Sequence, residues 1–457
     1  MYPPRSSNRQ SRQSRKKRRR RTVWAWTNVS LLLMISALIL YYFIGGQDKK
    51  VSAPPPETAE ASMPAEAEPP PSPTVTPPPA TEPPASPSPS VTPEVSPSPE
   101  VTETPQPAAE ATAEPEESAG AAEGNLADDG QGTAGLPGGD PGTTVTLNFA
   151  GDVIFAGKAG ELLQKQGFAY SYSALDGMFT RDDLTVVNLE NPITNGGVGA
   201  ANKQFVFKGA PEALDALKAA GIDAVNLANN HTLDQGETGL LDTFKHLQER
   251  GIPYVGAGKN STEAFTAQYF ERKGIRIALL GFTRVIPDSG WAAGPDSTGV
   301  AAVYDSKAGL KAIAAAKQKA DLVVVVVHWG KERVEQYDET QQVLGRSFVD
   351  AGADLVIGGH PHVLQGIEPY KGKWIAYSTG NFIFTRSTVP ATWETAVFQA
   401  ECTASGECGL KLAPMHAELA RPVPMDNTDG ALLLQRVEAL SAGRVKIGSD
   451  GTVTEAR

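Results

Sequence analysis

Leu322 to Val327 is a leucine followed by five valines, a run that reads as a central strand buried on both faces. It opens directly onto His328. A second apolar run, Asp354-Leu355-Val356-Ile357, opens onto Gly358-Gly359-His360-Pro361-His362. The chain has six histidines, and four of them (His231, His328, His360 and His362) stand at the end of a strand-like run or just after one. Imidazole is the commonest side-chain ligand of transition metals. Histidines gathered where parallel strands end suggest a metal site in the crevice there. Any one of them alone reads equally well as a loop or core-packed histidine. Their convergence with carboxylates and an Asn at other strand ends is the informative part.

The folded domain is expected over residues 144–457, with strands alternating with helices. Strands are predicted at 144–150, 184–189, 223–227, 275–282, 322–327 and 354–357, with an edge strand at 375–378. Helices are predicted at 211–220, 237–250, 306–320 and 341–351, several closed by a glycine such as Gly221 or Gly251. Alternation of this kind argues an α/β fold with a large, mostly parallel sheet. The tail after Thr392 reads as β-rich, forming a second or mixed sheet.

The residues before the domain differ sharply in composition. Ten of the 41 basic residues lie in 1–21 with no acidic ones, 22–46 carry no charge, and the remaining 31 basic residues share the rest of the chain with all 52 acidic ones. Residues 22–46 are long enough to cross a bilayer core of roughly 30 Å, with Trp24, Trp26, Tyr41 and Tyr42 near the ends. The positive-inside rule then places 1–21 in the cytoplasm and everything after Gly46 outside. A cleaved signal peptide is the rival reading, but Tyr41-Tyr42-Phe43-Ile44 is bulky where a peptidase needs small residues. The basic tail is better explained by lipid headgroups than by nucleic acid, which is not an expected partner. Residues 47–143 read as a disordered linker. The stretch 51–143 holds 23 of the 36 prolines, no Lys or Arg and no aromatic residue, too little apolar surface to offset its ordering entropy. Such a stalk would hold a domain away from the membrane.

The two cysteines, Cys402 and Cys408, flank a short turn containing Gly406. Outside the membrane this reads as a hairpin disulfide, and a metal role is the alternative.

Six short motifs fall at strand ends: Gly151-Asp152; Asn188-Leu189-Glu190-Asn191; Ala228-Asn229-Asn230-His231 with Asp234-Gln235-Gly236; His328-Trp329-Gly330-Lys331-Glu332; Gly359-His360-Pro361-His362 with Gln365; and Ser378-Thr379-Gly380-Asn381-Phe382. A carboxylate can bridge two divalent ions, and neutral imidazoles and an Asn carbonyl can complete the shell. A nearby histidine that is not a ligand can protonate a leaving oxygen. Glu332 and Gln365 read as surface residues, and Asp234, Ser378 and Asn381 as loop supports. Trp329 is either a lid or plain packing.

In this order the motifs resemble the CapA family of poly-γ-glutamate capsule-synthesis proteins, related to calcineurin-like metallophosphoesterases. The match runs over about residues 144–385. The resemblance implies a β-sandwich flanked by helices. It implies Asp152 and His362 on one metal, Glu190 bridging, Asn230, His328 and His360 on the second, and His231 as general acid. The ions would be one or two of manganese, zinc or iron. One position departs from the pattern. The phosphoesterase motif has Asp-x-His at the first strand, whereas this chain has Asp152-Val153-Ile154, and isoleucine cannot coordinate a metal.

The expected function is therefore that of a single-pass membrane-anchored protein with its domain outside. It would act in synthesis, export or surface retention of an anionic polymer such as poly-γ-glutamate, alongside other capsule-synthesis proteins. A metal-dependent phosphoesterase with another extracytoplasmic substrate and a non-catalytic assembly factor are the alternatives.

Overall fold

The computed structural model describes residues 142–456 apart from Asn202. The basic tail, the expected anchor at 22–46 and nearly all of the linker lie outside the described residues. Among the described residues no helix is long and apolar enough to cross a membrane.

Two mixed sheets face each other. The larger places Thr144–Val153, Leu184–Leu189, Ala224–Asn226 and Tyr254–Val255 in parallel succession. The smaller has Ile275–Thr283, Leu322–His328, Leu355–Gly359 and Lys373–Ala376 in parallel, with antiparallel strands Gln268–Arg272 and Ile367–Tyr370 at its edges. The valine run shows why the layers form. Leu322, Val324 and Val326 point into the core between the sheets, beside Leu147, Phe149 and Val186 of the larger one. Val323, Val325 and Val327 point the other way, against Ile313, Leu344 and Phe348 of helices Lys307–Lys317 and Glu339–Asp350. A strand buried on both faces has no reason to alternate. Helices Gly157–Gln166, Ala213–Ala219 and Gly236–Glu249 cover the outer face of the larger sheet in the same way. The result is a mixed α/β sandwich.

Three expectations need correction. The segment expected as an edge strand near Ile375 is Lys373–Ala376, and it lies inside the smaller sheet, because Ile367–Tyr370 pairs along its outer side. The late strands do not build a separate sheet. Glu394–Thr403 pairs antiparallel with Thr144–Val153, and Cys408–Glu418 follows it by a hairpin, so both extend the larger sheet. The tail also contains a helix, Asn427–Leu440, whose Leu433, Leu434 and Val437 enter the core between the sheets. Cys402 and Cys408 are cross-strand partners in that hairpin and form a disulfide.

Gly358 sits at a close approach between strands at the ligand-bearing end. A Cβ there would overlap the Tyr377 carbonyl oxygen and the Trp329 indole nitrogen. Gly358→Ala should therefore destabilise the protein by about 1–3 kcal/mol, the usual range for forced overpacking. Urea unfolding of the full chain measures this, and an unchanged midpoint would show that the strands are not so tightly apposed.

Candidate metal centre

Register carries the site. In the larger sheet Asp152 is paired with Asn188 on one side and Asn381 on the other, and Asn188 is paired with Asn226. In the smaller sheet Thr283, His328 and Gly359 are in register. Asp152, Asn188, Asn226 and Asn381 thus end one sheet, and Thr283 and His328 end the sheet facing it, with Asn188 3.3 Å from His328. Glu190 follows the strand Leu184–Leu189 immediately, its N–H donating to the Val153 carbonyl at 2.8 Å.

The candidate ligands converge. Single ligand atoms of Asp152, Glu190 and His328 lie within 4.8 Å of one another, and so do those of Glu190, His360 and His362. Glu190 belongs to both groups, as a bridging carboxylate would. Asn230 Oδ1 lies 2.8 Å from His328 Nε2, and His362 Nδ1 lies 3.1 Å from Asp152 Oδ2. All six expected ligands are therefore brought together. Their grouping crosses the partition that the family resemblance implies, since Asp152 groups with His328 and His360 with His362.

The chemistry of this cluster fits a divalent ion. Both oxygens of Glu190 are buried without a hydrogen-bond partner, and so is Nδ1 of His360. Burial, then the neighbouring Asp152 and Glu332 carboxylates, pushes the Glu190 carboxyl well above its usual range. Burial, then His360 and His362, pushes His328 well below the usual imidazole range. Burial and His362 bring His360 down to about 3. The His328 and His360 imidazoles are thus neutral and can donate lone pairs. His360 and His362 also have positive backbone φ angles of 94° and 57°. Each such non-glycine conformation costs on the order of 1–3 kcal/mol and persists only where the surroundings enforce it.

His231 adjoins the cluster. Its Nδ1 is 2.7 Å from Asp234 Oδ2, and its ring packs against Phe207, tilted by 40° with centroids 4.6 Å apart. Burial lowers its basicity while Asp234 opposes that shift. Ile154 is wholly buried and offers no ligand.

The sequence reading missed several supports. Asn188 donates from Nδ2 to Asp152 Oδ1 at 2.8 Å, and its Oδ1 accepts from Asn226 at 3.0 Å and Asn229 at 3.1 Å. Its place in Asn-Leu-Glu, two residues before Glu190, was the available signal. Asp234 and Asn381 do more than support loops, since they hold His231 and His362, the latter at 3.0 Å. Gln365 is buried, not superficial, and accepts from Gln341 while donating to the Val334 carbonyl. Glu332 is exposed as expected, yet its charge reaches Glu190. Trp329 is packing rather than a lid, fully buried against Phe348 with its N–H on the Tyr377 carbonyl. Ser378 supports a loop as expected, donating to the Val363 carbonyl.

Lys203 had no signal at all, since it lies in an irregular segment. Its ammonium pairs with Asp234, donates to the Asn230 carbonyl and lies 2.9 Å from His231 Nδ1. Removing it would leave the fully buried Asp234 carboxylate without its cation, held only by the Phe207 N–H and His231. Lys203→Met should cost about 3 kcal/mol by denaturant unfolding, the scale for breaking a buried pair from one side. Adding Asp234→Asn should recover part of that loss. Strict additivity of the two substitutions would contradict the pairing.

The chain is similar to known proteins across the same region. The family described as bacterial capsule synthesis protein PGA_cap matches residues 146–386. The capsule biosynthesis protein CapA of Bacillus anthracis is 33% identical over 288 residues, covering 62% of this chain and 69% of that protein. The PGA biosynthesis protein CapA of Bacillus subtilis (strain 168) is 32% identical over 283 residues, covering 62% and 74%. A solved structure of a 5'-nucleotidase from Candida albicans SC5314 aligns with 60% of this chain and 52% of its own at 13% identity. Its TM-score of 0.34 is too low to bear on the site. On the match across 146–386 and the identity to the two CapA proteins, this chain belongs to the bacterial capsule synthesis protein PGA_cap family.

Proposed function

We propose that this chain acts at the outer face of a cell membrane in the synthesis, export or surface retention of an anionic capsule polymer such as poly-γ-glutamate, through a divalent-metal site. One observation carries the metal part: Glu190 is buried among histidines with neither oxygen hydrogen-bonded. Asp152, Glu190, Asn230, His328, His360 and His362 would hold one or two ions of manganese, zinc or iron, in the manner of a calcineurin-like phosphoesterase. Such an ion would polarise a substrate oxygen or water. Asn188 orients Asp152, and Asn381 orients His362. With Nδ1 of His231 turned to Asp234, Nε2 is the nitrogen left to give or take a proton.

Family membership and the capsule-related names of both Bacillus relatives support the polymer. Residues 22–46 would supply the anchor and 47–143 the spacer. The Cys402–Cys408 disulfide suits an oxidising, extracytoplasmic compartment. Ile154, buried where a ligand histidine would stand, weighs against ordinary phosphomonoesterase chemistry.

Manganese at about 100 times its dissociation constant should stabilise the metal-stripped full chain by about 2.7 kcal/mol. Glu190→Gln should raise the stability of the stripped protein, because it removes a carboxyl whose ionisation burial opposes, and should abolish the gain on adding metal. Thermal unfolding with and without manganese reads both effects. A Glu190→Gln variant that gains as much as wild type would remove Glu190 from the site. In the host, deletion should deplete surface polymer, with wild type but not His360→Ala restoring it. Full restoration by His360→Ala would sever the polymer role from the metal centre.

A further inference from the structure

The strand that ends beside His328 continues into a second, unassigned feature. Arg284 immediately follows Ile275–Thr283, and its backbone N–H donates to the His328 carbonyl at 2.8 Å. Its position is therefore fixed to the residue that supplies a candidate ligand. The guanidinium lies over the Tyr304 ring, 4.1 Å from its centre. Tyr304 is half exposed, at 52%, and its hydroxyl accepts from the Ile286 N–H at 3.2 Å, which clamps the ring across the loop. The two side chains line a pocket of about 330 Å³ with Ser306, Thr340, Val343 and Leu344.

Among the described residues Arg284 forms no ion pair, whereas Arg250, Arg346 and Arg436 each reach a carboxylate. One carboxylate, Glu339, also lines the pocket without pairing with it. An arginine held over an aromatic face has lost rotamer freedom and keeps N–H groups for a ligand. The matching ligand is a planar anion, and a carboxylate accepts two parallel N–H bonds from a guanidinium. The apolar wall formed by Val343 and Leu344 adds a surface for methylene groups.

We propose that Arg284 and Tyr304 form an anion subsite on the helix-covered face of the smaller sheet, one backbone hydrogen bond from His328, where the free α-carboxylate of a γ-linked glutamate unit docks. This rests on the polymer reading above. A γ-linked chain bears one free α-carboxylate and two main-chain methylenes per unit, and the pocket offers a partner for each. Arg284 is thus a specificity residue that positions the chain and distinguishes it from neutral polyamides.

The test uses the full chain in detergent, loaded with manganese and titrated calorimetrically with a γ-linked glutamate oligomer and with its α-amide counterpart. Wild type should prefer the free acid. Arg284→Gln should weaken free-acid binding roughly tenfold or more, the value of one charge-assisted bond, and leave amide binding nearly unchanged. Arg284→Lys should keep part of the preference, and Tyr304→Leu should weaken it less than Arg284→Gln. Manganese content, measured on every variant, should match wild type. The subsite is wrong if Arg284→Gln keeps the wild-type preference, or loses affinity for acid and amide alike. Wild type that binds neither oligomer would sink the polymer reading and the subsite together, whereas wild type that binds beside an unaffected variant would sink the subsite alone.

Discussion

Both oxygens of Glu190 are held away from water with no donor to meet them, and the ligand-bearing end of the domain is built around that constraint. A buried, unpaired carboxylate is one of the more expensive things a fold can contain. Asp152 and Glu332 add like charge, Lys203 opposes them only in part, and His328 and His360 are neutral. The cluster is rich in lone pairs and poor in protons, which is the character of a site completed by a cation. The left-handed backbone at His360 and His362 agrees, since strain of that kind collects where side chains must be aimed.

The sandwich produces this arrangement through register. Parallel strands in each sheet end at a common level, so Asn381, Asp152, Asn188 and Asn226 form one row and Thr283, His328 and Gly359 another. The hydrophobic core between the sheets, with Phe149, Val186, Val324 and Ile357, sets their separation. A change that slips one strand by a residue would exchange core and polar positions together. Metal affinity and fold stability are therefore coupled through the same strands.

The valine run, the strand-end histidines and the order of the motifs made the α/β class legible in the sequence and pointed to the six candidate ligands that the fold brings together. These features are local: a strand is apolar over its own length, and its end is marked by the next polar residue. What escaped depends on contacts distant in sequence. Lys203 lies in a segment without periodicity, and only folding sets it on Asp234, 31 residues away. Asn188 has a polar role that its position within an apolar strand concealed. Gln365 looks like a surface residue until the Gln341 amide is placed against it. The helix Asn427–Leu440 entered the sheet core unannounced, because its apolar face continues a tail that otherwise alternates like strands.

Anomalous X-ray scattering from crystals of the protein grown with manganese tests the centre most directly. The expected result is a peak bounded by the Glu190 carboxylate and the imidazoles of His328, His360 and His362, with nitrogen and oxygen ligands at roughly 2.0–2.2 Å. A second peak sharing Glu190 would make it a bridge. A map with no anomalous density between these side chains at saturating manganese, zinc or iron would contradict the metal centre itself.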